Sequence, residues 1–467
     1  MPFSESIMLQ MTIVLLLATI VFWIAYTLPQ KIAGSALILL IPFQPVETRF
    51  GTANVALTFV VFIAMLMRES NIRLPMLPQI LLVTFVYLLS MSQTHESTHV
   101  QHAIYMVYVV SAFLVFWISY DLTLRYTLRG IVQLFLIMNV LVIIYCLIQL
   151  AVGPGTKLML FGREEFAMAH TRGDRLTGPF SGVGVAAEYF VIMVYVIMHQ
   201  ILTATSAKAR WLLAGLMGCN FLLLVATGNR GGFLTLIGAG ILYLWMFRHL
   251  LGVVRTIRIA IIGTILLAMS AAITVQYTSF NRLFDRLLET EIDEGVPDTR
   301  SVVWPMAWEA IKEKPLLGNG PRLRLIGDEN PRAFPGHISI MYPHNLYLFL
   351  VFTVGVLGLV AFLILLGTPL YRCWKTARKG IRDPVTLSFI KTGTVLMVII
   401  FVDQIKVEFM RYGLVDYWHF VFALLGLLVA VCDRTEHSLA LAREREATAP
   451  AGPVPEPAVA RRQLSVR

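Results

Sequence analysis

Arg230 stands in the run Thr227-Gly228-Asn229-Arg230-Gly231-Gly232, between two apolar stretches. Glycines around it permit tight turning and close approach of a ligand, so this turn can present a guanidinium together with backbone amides. Arginine's planar fork matches phosphate oxygens, and its charge persists at any working pH. A second arginine, Arg300, lies in Asp298-Thr299-Arg300-Ser301, followed by Trp304, Ala307, Trp308 and Ile311 at helical spacing. Proline is tolerated in the first turn of a helix, so Pro305 predicts a helix starting just after Arg300, with Trp304 and Trp308 on one face. His344-Asn345 opens the next apolar run. A neutral imidazole there can take or orient the proton of a sugar hydroxyl, and His337, in the polar stretch before it, competes for the role.

Other outer cations add to these. Arg163, Arg172 and Arg175 precede Gly178-Pro179-Phe180-Ser181, while Lys406 and Arg411 share a late polar segment with Asp403 and Glu408. If the fold brings such groups together, they form a clamp for a diphosphate without a divalent ion. Each has a structural alternative: Arg230 can snorkel from a helix end, Arg300 can pair with Asp298 or Glu294, and Lys406 and Arg163 can be loosely paired surface charges. Glu188 falls inside an apolar run, where a carboxylate is costly unless it is paired or faces a cavity; one of the arginines is the expected partner.

The elements that must position these residues are membrane helices. The 467 residues are 57% hydrophobic and 14% charged, too apolar for a soluble chain of this length. Apolar runs approach roughly 20 residues, the length of a helix crossing the hydrocarbon core, without the alternation of outer-membrane strands. We expect an all-α polytopic membrane protein of roughly twelve or thirteen spans, the first (Ile7–Leu28) retained rather than cleaved, with a large, partly helical loop, Tyr277–Tyr342, between the tenth (Ile257–Val275) and the eleventh. Residues 1–432 then make a membrane catalytic domain containing the 277–342 loop subdomain, and 433–467 a basic, partly disordered tail. Lys208/Arg210, Arg248/Arg255/Arg258 and Arg372 to Arg382 fall in alternate loops, which the Lys/Arg bias assigns to the cytoplasm. The candidate residues then share the opposite, periplasmic face of a bacterial inner membrane.

The net charge of +10 comes largely from the cytoplasmic loops and the tail, so nucleic-acid binding is not indicated. Cys146, Cys219, Cys373 and Cys432 have neither metal spacing nor a disulfide pattern. His95, His99 and His102 lack an acidic ligand set, and no nucleotide-binding glycine loop occurs.

From about Arg172 to Val431 the chain resembles the O-antigen ligase and polymerase superfamily. The resemblance rests on Thr227-Gly228-Asn229-Arg230-Gly231-Gly232, on Thr299-Arg300 with Trp304 and Ala307 in the outer loop, and on Pro315-Leu316-Leu317-Gly318-Asn319-Gly320. It also rests on His344-Asn345, followed after nine residues by Gly355 and then Gly358. It implies metal-independent, inverting transfer of glycan from undecaprenyl diphosphate to lipid A–core at the periplasmic face, with no cofactor. On this chain, Arg230 and Arg300 would hold the diphosphate and His344 would activate or position the acceptor hydroxyl. Arg172, Arg175, Glu188, Asn345 and Arg411 are the expected substrate-binding residues. Polymerases share the arginine-and-loop arrangement, so an O-antigen or exopolysaccharide polymerase is the first alternative, a protein-glycosylating ligase the next, and a lipid-linked saccharide transporter the alternative from another class.

Overall fold

The computed structural model describes residues 19–43, 47–48, 51–68, 72–94, 99–153, 175–180, 182–251, 292–293, 296–321, 342–410 and 414–448. The helices are α1 (Gln30–Leu40), α2 (Ala53–Arg68), α3 (Leu77–Met91), α4 (His99–Arg125), α5 (Leu128–Val152) and α6 (Val183–Thr203). They continue with α7 (Ala207–Thr227), α8 (Arg230–Leu251), α9 (Asp298–Glu313), α10 (Leu346–Ala377), α11 (Pro384–Asp403) and α12 (Val415–Thr448). Two antiparallel pairs of two-residue strands complete the described secondary structure: β1 (Glu47–Thr48) with β2 (Gly51–Thr52), and β3 (Ile292–Asp293) with β4 (Val296–Pro297). Eight helices, α4 to α8 and α10 to α12, are long and apolar enough to cross a membrane, and α1 to α3 are shorter apolar helices. The chain is thus an all-helical, multi-pass membrane protein. The expected first span is described only from residue 19, and the expected tenth lies outside the described residues.

Local chemistry explains the boundaries. Thr127 and Ser206 cap α5 and α7 by accepting from Gly130 N and Ala209 N, each at 3.1 Å. Asp383 accepts from Val385 N and Thr386 N, with Pro384 opening α11. This span therefore begins at Pro384, ahead of the charged Lys391. Lys391 interrupts the apolar run in sequence, yet its ammonium reaches the Met246 carbonyl at 3.0 Å.

Helix α12 is buried along its whole apolar window and forms the centre of the bundle, whereas most of α7 faces outward. It lies along α4 so closely that a side chain at Gly426 would collide with the Phe116 carbonyl. Tyr105, Ser111 and Ser119 of α4 hydrogen-bond to Met410 O, His419 Nε2 and Ala423 O. Close backbone approach with polar cross-bonds is how helices associate when lipid is as apolar as the side chains. The helix also continues through the expected tail boundary at 433 as far as Thr448, with Arg372–Asp433 and Lys379–Glu436 pairs holding α10 and the residues just after it to α12.

The decisive irregularity is in α10, which breaks at Gly355 (φ 71°, ψ −177°). A break strands backbone groups, and within a membrane these need protein partners. Residues 315–320, just after α9, supply them. Asn319 N and Gly320 N donate to the Phe352 and Thr353 carbonyls at 3.0 and 2.8 Å, and Val356 N and Leu357 N donate to Pro315 and Leu316 at 2.9 and 3.3 Å. Ser90 Oγ of α3 adds a bond to Thr353 O at 2.8 Å, and the Asn319 amide bridges the Ala310 and Phe352 carbonyls. A side chain at Gly355 would collide with the Leu316 carbonyl oxygen.

One expectation changes here. Arg300 lies in the first turn of α9, and Pro305 lies inside that helix. The β3–β4 pair ends at Pro297 and starts the helix early. The bond lost at Pro305 is tolerated because Val303, Ala307 and Ile311 form a buried stripe, with α9 packed on α10.

Gly355→Ala should cost at least about 2 kcal/mol through backbone strain and displacement of the 315–320 turn. Thermal unfolding of the detergent-solubilised protein should therefore shift down clearly. Gly367→Ala in the same helix, where a new Cβ meets nothing within 4 Å, should leave melting unchanged.

Candidate active site

The candidate residues gather at one end of the bundle, around the segment that links α11 to α12. Helix α11 ends at Asp403, with Gln404 as its cap. The Gln404 carbonyl accepts from Leu346 N at 2.8 Å, which ties the start of α10 to the end of α11. The Gln404 amide donates to both oxygens of Glu188 at 3.0 Å, and its own oxygen accepts from Phe409 N at 3.1 Å. The partner of Glu188 seen here is therefore a neutral amide, where an arginine was expected. An amide's paired donors satisfy a buried carboxylate without bringing a second charge into the span.

Lys406 follows. Its ammonium sits 2.5 Å from Asp403 Oδ1 and 2.8 Å from Thr235 Oγ1 of α8. Its chain lies directly on Gly231, where any side chain would collide with it. Glycine at 231 thus makes room for Lys406 beside the start of α8, next to Arg230. The rest of the Gly-rich turn is also accounted for locally. Gly228 is the left-handed cap of α7 (φ 58°), Asn229 Oδ1 accepts from Gly232 N at 3.0 Å, and Gly232 permits contact with Ala187. Arg230 is the first residue of α8. Arg175 donates to the Thr227 and Gly228 carbonyls at 2.9 and 3.1 Å, committing two of its donors to the end of α7.

Arg300 reaches the same segment from α9, donating Nη2 to the Lys406 carbonyl at 3.2 Å. One turn later Trp304 donates to the Pro343 carbonyl at 2.9 Å, immediately before His344. Partial burial draws the Arg300 pKa down from its ordinary value, and the Glu408 carboxylate opposes that shift. The charge remains, since guanidinium holds its proton at any working pH.

His344 adopts positive φ (50°), an uncommon conformation for a residue other than glycine and one that clusters at functional sites. Its Nδ1 is 3.4 Å from Glu408 Oε1; the imidazole is one-third exposed, the carboxylate 2% exposed. Asn345 caps α10, its Oδ1 accepting from Leu348 N at 3.1 Å. The strained histidine is therefore held between a helix cap and a buried carboxylate. Arg172, Arg411, Arg163 and His337 lie outside the described residues.

Beside this cluster an apolar cavity of about 440 Å³ runs between α8 and α11. Leu234, Gly238, Leu242, Val398 and Val402 line it, and Gly231, Thr235 and Lys406 stand at its polar end. The arrangement joins fixed cations, an imidazole with a carboxylate behind it, and a lateral apolar groove. Sequence reasoning treated Lys406 and Glu408 as secondary, and passed over Gln404 and Thr235. The only available signal was the dense polar run Asp403-Gln404-Ile405-Lys406-Val407-Glu408 between two spans.

No curated protein matches the chain. A family model described as O-antigen ligase matches residues 212–363, about a third of the chain, from α7 to the middle of α10. The matched residues include Arg230, Arg300, His344 and both halves of the junction at Gly355, but not Glu188 or the 403–410 segment. With these elements in one matched stretch, the chain is similar over that third to the O-antigen ligase family.

Proposed function

We propose that the protein transfers a glycan from undecaprenyl diphosphate to lipid A–core oligosaccharide at the periplasmic face of a bacterial inner membrane, by metal-independent inversion. The observation that carries this reading is the attachment of Arg300 and His344 to one short segment, Lys406 to Glu408, at the mouth of the apolar groove. The prenyl chain occupies the groove between α8 and α11. Its diphosphate lies at the polar end, facing Arg230, Arg300 and Lys406. Residues 1–432 act as the catalytic unit and the 277–342 loop as a periplasmic subdomain within it, with 433–467 as a cytoplasmic tail.

In the reaction an acceptor hydroxyl oxygen attacks the anomeric carbon opposite the diphosphate. The new glycosidic bond forms as the bond to the diphosphate oxygen breaks, and the hydroxyl proton passes to His344. Fixed guanidinium groups neutralise the departing diphosphate, the charge role that a divalent ion plays elsewhere. Because the donor is already activated, no nucleotide is required. Glu408 orients the imidazole through Nδ1, leaving Nε2 to face the acceptor, and stabilises the imidazolium formed during transfer.

A product-resolved assay with purified lipid-linked glycan tests this reading, with lipid A–core, free repeat units or acceptor protein offered in turn. Core-linked glycan is the expected product. Polymer or glycoprotein from active protein would reassign it within the superfamily. Arg230→Ala, Arg300→Ala and His344→Ala should each lower turnover by roughly 10²-fold or more while the protein inserts and melts normally. Near-normal turnover in all three would remove the site. Glu408→Gln should lower kcat by about tenfold with little change in KM, because it disturbs the base and not binding. Turnover should persist in excess chelator; a reversible Mg²⁺ requirement would refute the metal-free account.

A further inference from the structure

The opposite end of the bundle carries a second built cluster that glycosyl transfer does not use. Trp245 of α8 and Trp374 of α10 stack with ring centroids 6.4 Å apart and planes within 9°. The Arg378 guanidinium sits over the Trp374 ring at 4.2 Å, and that of Arg248 over Trp245 at 5.3 Å. From α11, Lys391 places its ammonium 5.7 Å over Phe247 while bonding to Met246 O, so three helices meet here.

Position and charge both indicate a ligand. Arg248 is eighteen residues after Arg230 on one helix, about 27 Å at 1.5 Å per residue, close to one hydrocarbon thickness. The cluster therefore lies at the other lipid–water boundary, where tryptophan is favoured. Basic residues at the end of α10 and just beyond it divide between two directions. Arg372 and Lys379 turn to Asp433 and Glu436 of α12, while Lys375 and Arg378 are exposed and rest on the rings of Tyr371 and Trp374. A guanidinium packed on an indole face can also donate in-plane N–H groups to a phosphate. Trp245 is 48% exposed, and Ile241 beside it is 66% exposed, giving acyl chains an apolar wall below the cations.

We propose that this cluster binds the headgroup of an anionic phospholipid from the leaflet at the basic end, its phosphodiester held between Arg248 and Arg378 and its acyl chains lying along α8. Basic pockets between membrane helices on this side suit anionic headgroups.

Native mass spectrometry of the full-length protein tests the proposal, with phosphatidylglycerol, phosphatidylcholine and inorganic phosphate titrated separately. Phosphatidylglycerol should be retained preferentially and should raise the melting temperature. Arg378→Gln and Arg248→Gln should each weaken that retention by about fivefold, with the lipid-free melting curve unchanged. Should either variant melt low without lipid, Trp374→Phe, which keeps a ring but weakens the stack, should still reduce phosphatidylglycerol retention. Equal retention of the two lipids, or folded variants that hold phosphatidylglycerol like the unmodified protein, would overturn the site. An equal effect from inorganic phosphate would overturn the lipid as its ligand.

Discussion

A single set of backbone hydrogen bonds, between the broken turn of α10 and residues 315–320, underlies the geometry of the candidate site. The break at Gly355 strands carbonyls at 352 and 353 and amides at 356 and 357, and the 315–320 segment answers four of these groups from its own main chain. Leaving them unsatisfied inside a bilayer costs several kcal/mol each, by the order of magnitude for polar groups in hydrocarbon. The outer helix α9 is consequently attached to α10 at one end by these bonds. Its other end is attached by Arg300 to Lys406 and by Trp304 to Pro343. A loop secured at both ends can hold a guanidinium in place, whereas a tethered one could not. Preorganised charge is what such a site requires.

The short link between α11 and α12 gathers what the helices bring. Gln404 joins Glu188 of α6 and Leu346 of α10, Lys406 joins Thr235 of α8 and Arg300 of α9, Glu408 joins His344, and Met410 joins Tyr105 of α4. Five helices thus converge on the seven residues 404–410. The charges there are mostly compensated, with Lys406 against Asp403 and the Arg300 guanidinium near Glu408. This makes their burial tolerable and fixes where each side chain points. Positive φ at His344 fits the same picture, since strain of that kind persists only where surrounding contacts over-determine it.

The two ends of the bundle divide their chemistry. At the site end, Lys406 stands at the mouth of an apolar groove, and Arg300 and His344 attach to the same segment. At the other, arginines rest on tryptophans at the membrane boundary. Arginine suits both places for different reasons: its fork matches the geometry of phosphate oxygens, and its flat, weakly hydrated face packs on an indole.

Much of this was legible in the chain alone. Apolar runs of spanning length identified a helical membrane protein, and α3 begins and ends where its run does, at Leu77 and Met91. Arg230, Arg300 and His344 could be singled out because Gly-rich turns, Asp-Thr-Arg-Ser and His-Asn are local patterns with local physical meaning. So could Pro315 to Gly320 and Gly355, as separate marks. Their union across α10 was not readable, because hydrogen bonds between segments 35 or so residues apart leave no trace in composition or periodicity. For the same reason Glu188 was given an arginine when its neighbour is Gln404, and Lys406 passed for a surface charge. Sequence determines which groups are expensive to bury; only the packed helices decide which partners make that burial possible.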